Sequence, residues 1–136
     1  MESEEILFDE NMEMYTFVER LKSEICVSLS DALYAYEEDL TEKYRSKIAN
    51  FINKIDSWYD RVVITILDWA RGEYNIDAQV DDLELLHIFV LYEQCDSEVY
   101  GLEFRTKFDI EHGCGLKMEG DTFEIIEIGS ADIAFC

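Results

Sequence analysis

The sequence predicts an α+β fold, an antiparallel sheet packed against a central two-helix hairpin, in one domain spanning 1–136. Three observations carry this. Apolar residues recur at period two near both ends of the chain and at spacings of three and four only in the middle. Such segregated runs argue for α+β rather than for alternating βαβ units. Proline is absent and the 6 glycines are scattered, so no stretch reads as a linker or low-complexity tract. Finally, 136 residues that are 49% hydrophobic and 13% aromatic can fill one core, whereas a disordered chain of this charge would be poor in aromatics.

Residues 14–29 read as two strands. Tyr15, Phe17 and Leu21 alternate with Thr16, Val18 and Arg20, and Ile25, Val27 and Leu29 alternate with Cys26 and Ser28. Ser30 to Asp39 is mixed, and Ala32, Leu33, Ala35 and Tyr36 fit a short helix. Thr41 is then a candidate helix cap with Glu42 in the first turn, and Tyr44, Ile48, Phe51, Ile52 and Ile55 form one apolar stripe. Asp56 or Ser57 is expected to cap a second helix with a wider stripe, including Trp58, Val62, Ile66 and Trp69, and Gly72 to stop it. The short connection at Asn53–Asp56 predicts the hairpin, and the two tryptophans read as core anchors.

Past Asp77 the period changes. Asp81-Asp82 reads as a single turn carrying Leu83, Leu85 and Leu86, and Ile88 to Tyr92 as a short central strand. Tyr100, Leu102, Phe104 and Thr106 alternate with Gly101, Glu103, Arg105 and Lys107, one face apolar and the other charged. Cys114, Leu116 and Met118 form the next strand, Gly120-Asp121 a two-residue turn with Gly first, and Phe123 to Ile128 the partner strand ended by Gly129.

The charge bounds the function. There are 32 Asp and Glu against 11 Lys and Arg, a net charge of −21. A surface this acidic repels nucleic acid and anionic lipid and attracts basic proteins or cations. The charge is uneven: residues 1–40 carry −10, 41–72 carry +2 and 73–136 carry −13. The acidity therefore belongs to the strand-rich ends, and a basic partner is expected against the sheet edge or its exposed face. No apolar run approaches the roughly 20 residues that span a bilayer. The start, Met1-Glu2-Ser3-Glu4-Glu5, is acidic where a secretory signal is basic, so a cytoplasmic protein is expected.

Chemistry-bearing patterns are sparse. Cys26, Cys95, Cys114 and Cys136 show no C-x-x-C pair, which in a reducing cytosol reads as free thiols. Zinc would favour paired spacing and more histidine than His87 and His112. There is no calcium loop, no H-E-x-x-H and no Gly-rich phosphate loop. The densest polar cluster is Asp109-Ile110-Glu111-His112-Gly113-Cys114-Gly115. In an extended segment Asp109 and Glu111 would face away from His112 and Cys114, so metal binding there needs a sharp turn at Gly113. The plainer reading is a strand connection in which Glu111 or His112 bonds the backbone. Cys114 has His112 nearby and His87 on an expected neighbouring strand, but acidic surroundings work against a reactive thiol.

The run from Phe104 through Phe108-Asp109 to Glu111-His112-Gly113-Cys114-Gly115, followed by Ile128-Gly129-Ser130-Ala131-Asp132, resembles an uncharacterised bacterial domain family. Its pattern is Asp-x-Glu-His-Gly-x-Gly with a later Ile-Gly-x-Ala-Asp. Leu40-Thr41-Glu42 is similar to its entry into a helix pair, and the likeness covers roughly residues 40–135. Phe108 stands where members often carry Trp. Members occur among candidate immunity proteins of bacterial polymorphic-toxin systems, so the resemblance implies protein binding and carries over no catalytic residue.

Together these readings predict a cytoplasmic, non-enzymatic, acidic protein-binding domain that occludes a basic partner, most concretely an immunity-type protein neutralising a cognate toxin. The candidate partner-binding residues are Glu103, Asp109, Glu111 and His112; no catalytic residue, metal or cofactor is assigned, and neither nucleic acid nor membrane is an expected partner. The alternatives are a small-molecule or metal-binding domain using Asp109, Glu111 and His112, and a structural interaction module.

Overall fold

A computed structural model describes residues 1–34 and 39–135. The expected helix at Ser30–Asp39 therefore lies partly outside the described residues; within them Leu33 is buried and Ala32 exposed. The elements are β1 (Glu13–Val18), β2 (Ser23–Leu29), α1 (Glu42–Asn53), α2 (Ile55–Tyr74), β3 (Leu83–Val90), β4 (Val99–Thr106), β5 (Cys114–Glu119) and β6 (Ile125–Gly129), with short 3-10 turns at Ser3–Glu5, Val80–Asp82 and Ala131–Ala134. The fold is α+β. One six-stranded sheet runs in the order β1-β2-β3-β4-β5-β6.

Neighbouring strands pair antiparallel except β2 and β3, which are parallel. The departure from a wholly antiparallel sheet has a simple cause. Antiparallel neighbours are joined by turns, but a parallel pair needs a long crossover, and the helix pair between β2 and β3 supplies it. The one βαβ unit is thus embedded in an otherwise meandering sheet.

The helices form where the apolar stripe predicts, with different ends. Thr41 caps α1, its hydroxyl accepting from the Tyr44 amide at 3.1 Å. Only Lys54 separates α1 from α2, so Asp56 and Ser57 sit inside the first turn of α2 and neither caps it. The Trp58 indole N–H donates to the Phe51 carbonyl at 3.0 Å, satisfying one of the acceptors that the end of α1 leaves open. Nor does Gly72 stop α2. The helix runs to Tyr74 and ends on Asn75 at φ 53°, a conformation Asn tolerates. Tyr74 holds that extra turn down, its ring packed against Trp69 and Phe108. Trp58 is fully buried, whereas Trp69 is only partly so.

Two strand boundaries also differ. Leu83 and Leu85 belong to β3 rather than to a turn, because a bulge at Leu86 shifts the register between Leu85 and His87 and keeps Leu85 and Ile88 on the buried face. The β5–β6 connection is a four-residue turn, not the two-residue Gly120-Asp121 turn. Glu119 N donates to Glu124 O, Phe123 N donates to Glu119 O, and Phe123 takes φ 60°.

The core lies between the helices and one face of the sheet. Val27, Ile88, Tyr100, Leu102, Leu116 and Met118 are fully buried there against Ile48, Phe51, Trp58, Val62 and Ile66 of the helices. Phe51 stacks between Tyr100, at 3.8 Å, and Trp58, at 4.8 Å. Each such side chain contributes about 1.5–3 kcal/mol relative to remaining exposed.

Candidate functional site

The sheet face turned away from the helices has two halves. Across β4 and β5, Ala131–Ala134 lies directly on the strands. A Cβ on Gly101 would overlap the Ala134 carbonyl, and one on Gly115 would stand 2.7 Å from the Ala131 and Ser130 carbonyls. The Ala131 amide bonds the His112 carbonyl at 2.9 Å, locking this cover to the β4–β5 turn. Across β1, β2 and β3 no such cover exists among the described residues. Tyr15 and Phe17 stand 63% and 58% exposed there.

The turn at Asp109–Gly113 explains the densest polar cluster. The Asp109 carboxylate accepts from the Tyr74 hydroxyl at 2.7 Å, from the His112 amide at 3.1 Å and contacts His112 Nδ1 at 3.1 Å. The Tyr74 hydrogen bond, with those of His112, holds its carboxyl below the ordinary range, and in return Tyr74 is pushed up to about 12. Gly113 closes the turn at φ 61°, where a side chain would be strained. Asp109 and His112 are thus engaged with each other and with the turn, while Glu111 points to solvent. Cys114 faces the helices, fully buried, with its thiol pushed up to about 12 by burial. His87 lies on the opposite face, so the sequence's pairing of Cys114 with His87 does not form.

Glu103 stands apart from that turn, on the open face, in a row of directly paired residues that crosses the sheet: Tyr15, Cys26, His87, Glu103, Gly115. A parallel row beside it contains Glu13, Ser28, Phe89 and Gly101. Where the rows meet, five polar side chains converge. Ser28 Oγ is 2.6 Å from His87 Nε2, Cys26 Sγ is 3.5 Å from Glu13 Oε2 and 3.7 Å from Ser28 Oγ, and Glu103 Oε1 is 3.7 Å from His87 Nδ1. The His87 ring stacks on Phe89 at 3.9 Å, and Phe89 meets Phe135 at 5.3 Å. Burial lowers the His87 pKa, so the imidazole is neutral at pH 7, and burial raises Cys26 and Glu103. A cleft of about 470 Å³ lined by Asn11, Glu13, Ser28, His87, Phe89 and Phe135 opens directly onto the cluster.

Ser28, His87 and Glu103 align as a nucleophile, base and orienting acid would. Two of the amides that could serve an oxyanion beside Ser28 are engaged, however. The amides that follow Ser28 are engaged elsewhere, Leu29 N on Met12 O at 3.0 Å and Ser30 N on Val90 O at 3.1 Å.

Sequence reasoning missed Glu13, Cys26 and Ser28, and placed His87 with the wrong thiol. The alternation that puts Ile25, Val27 and Leu29 on one face does place Cys26 and Ser28 together on the other. What brings His87 and Glu13 to them is cross-strand register, which alternation does not encode. No family model, curated protein or solved structure matches this chain.

Proposed function

We propose that the chain is an acidic protein-binding domain, most concretely an immunity-type protein that neutralises a toxin by occluding its basic surface, and that it docks through the open half of the sheet. The distribution of side chains on that face carries the reading. Strand alternation and register put Glu13, Glu24 and Glu84 on that half, and Glu103, Glu119 and Glu127 with Arg105 and Lys117 on the same face over β4, β5 and β6. The helical segment on the other side of the sheet is near neutral. Exposed Tyr15 and Phe17 stand among these carboxylates, and aromatic anchors ringed by charge are how compact interfaces concentrate binding energy. Asymmetric charge also orients an approaching basic partner and speeds association.

The reading expects a toxin domain encoded in a neighbouring gene, and the test is co-expression with that domain, followed by titration of the purified pair. The expected result is rescue of growth and a Kd that weakens at least tenfold between about 50 and 500 mM salt, because exposed charges are screened over that range. Absence of rescue or of a complex overturns the toxin reading, and a Kd flat in salt overturns the electrostatic one. Nothing favours the alternative built on Asp109, Glu111 and His112, since the first and third already satisfy each other within the turn.

A further inference from the structure

We propose that Glu13, Cys26 and His87 form a site for a divalent transition-metal ion of the zinc type, with Glu103 as the group that orients His87. The proposal is independent of the docking reading above. Among the described residues these three are the group of His, Cys, Asp and Glu whose donor atoms converge, all within 4.8 Å of one another. Donors bound tetrahedrally to zinc at 2.0–2.3 Å stand about 3.6 Å apart, and the Cys26 Sγ–Glu13 Oε2 distance is already 3.5 Å. Only side-chain adjustments of about an ångström are then needed to close the set.

The donor set has the right chemistry. A soft thiolate, an imidazole and a carboxylate together suit zinc or cobalt and not calcium or magnesium. His87 presents Nε2 to the cluster while Nδ1 faces the Glu103 carboxylate. At 3.7 Å that pair stands a small side-chain adjustment from the carboxylate–histidine hydrogen bond that fixes an imidazole with its lone pair toward a metal. The three ligands come from β1, β2 and β3, on paired backbone that positions them far better than loops would. Binding forms the metal–sulfur bond as the Cys26 thiol gives up its proton to solvent; the imidazole is already neutral. Three protein ligands leave a fourth position, and the Ser28 hydroxyl and the cleft of about 470 Å³ lie beside it. Such a site, with an exchangeable position, takes a water or a ligand atom from a bound molecule.

The experiment uses the full chain with Cys95 and Cys136 changed to Ser, which leaves Cys26 and Cys114 as the remaining thiols. Cobalt(II) is titrated into metal-free protein, and the thiolate-to-cobalt charge-transfer band and visible d–d bands are followed, with zinc competition giving the affinity. The expected result is one ion per chain in a four-coordinate spectrum, lost in Cys26→Ser and weakened at least 100-fold in His87→Ala. Glu103→Gln should keep the spectrum and weaken binding about 10–100-fold, the range for a group that orients a metal ligand, which a merely structural Glu103 would not do. Asp109→Asn should leave binding unchanged. Circular dichroism of each variant separates lost binding from lost fold. Absence of the charge-transfer band in the folded parent overturns the proposal, and so does a band that survives in folded Cys26→Ser.

Discussion

The two halves of the outer sheet face answer different demands with different residues. Over β4 and β5 the strands carry glycine where the chain's own C-terminal turn lies against them, and the polar groups nearby are engaged with one another. Over β1, β2 and β3 the same face carries Tyr15, Cys26, Ser28, His87 and Phe89, and the C-terminal turn reaches it at Phe89 through the Phe135 ring. The sealed half is architecture: removing Cβ atoms lets backbone pack on backbone. The open half instead brings polar side chains together, Ser28 on His87 and Cys26 on Glu13, beside the exposed rings of Tyr15 and Phe17. Both parts of the Asp-x-Glu-His-Gly-x-Gly and Ile-Gly-x-Ala-Asp pattern belong to the sealed half, where the Ala131 amide joins them through the His112 carbonyl. A short pattern dense in polar residues can thus mark a packing device.

The sharpest way to break this comparison is to add one methyl group to the sealed half. Gly101→Ala drives a Cβ into the Ala134 carbonyl and should destabilise the protein by about 3 kcal/mol, the upper end for overpacking. The Ala131, Ile133 and Phe135 amides, bonded within or beneath the turn, should exchange faster with solvent. Ser28→Ala on the open half should cost only about 1 kcal/mol, a single hydroxyl hydrogen bond. Urea unfolding of the two variants measures the contrast. A Gly101→Ala loss below about 0.5 kcal/mol would mean the turn is not seated on the strand.

The fold was legible where a local pattern sufficed. Period-two alternation locates β1, β2, β4 and β5, and the stripe from Tyr44 to Ile66 locates both helices, because each pattern is set by the residue's own element. What failed depended on the neighbour. The β2–β3 pairing is parallel because of what lies between them, and Leu83–Leu86 hides a strand because a bulge breaks the alternation. Gly72 looks like a stop only until Tyr74 is seen bonded to Asp109. The same limit decided the site. Asp109, Glu111 and His112 drew the eye by adjacency in sequence, yet the converging donors are residues 13, 26 and 87, joined by register alone.

Acidity separates the halves a second time. His87 faces Ser28, Cys26, Glu13, Glu103 and Phe89, and burial holds its pKa below the ordinary 6.5 although Glu13 pulls it up. The folded state therefore takes this proton less readily than the unfolded chain. Stability is full above that ordinary value and declines as pH falls from it toward the lowered folded value. Asp109 is a carboxyl with a lowered pKa, so its contribution is full above the ordinary 3.8 and is lost only as pH falls through the lower folded value. Between about pH 7.5 and 5.5 the urea midpoint should fall further for the parent than for His87→Gln, whereas Asp109→Asn should alter only the acid limb. A parent midpoint that is flat across that upper window would show that His87 is not held neutral by the fold.

The smallest effect on folding should be the largest on docking. Phe17 is exposed and Glu24 carries no ion pair among the described contacts, so Phe17→Ser and Glu24→Lys should each shift stability by less than about 0.5 kcal/mol. Both stand on the open half, and each should weaken a basic partner about tenfold or more at low salt. Asp60 and Asp68 are the matched controls on α2, bonded to Arg20 and Arg71 on the side of the molecule that the helices cover. Reversing either should change the Kd by less than about threefold, since both belong to α2, on the other side of the sheet. If all four reversals and truncations weaken binding alike, the partner responds to net charge and not to a face, and the distinction between the halves would then concern packing alone.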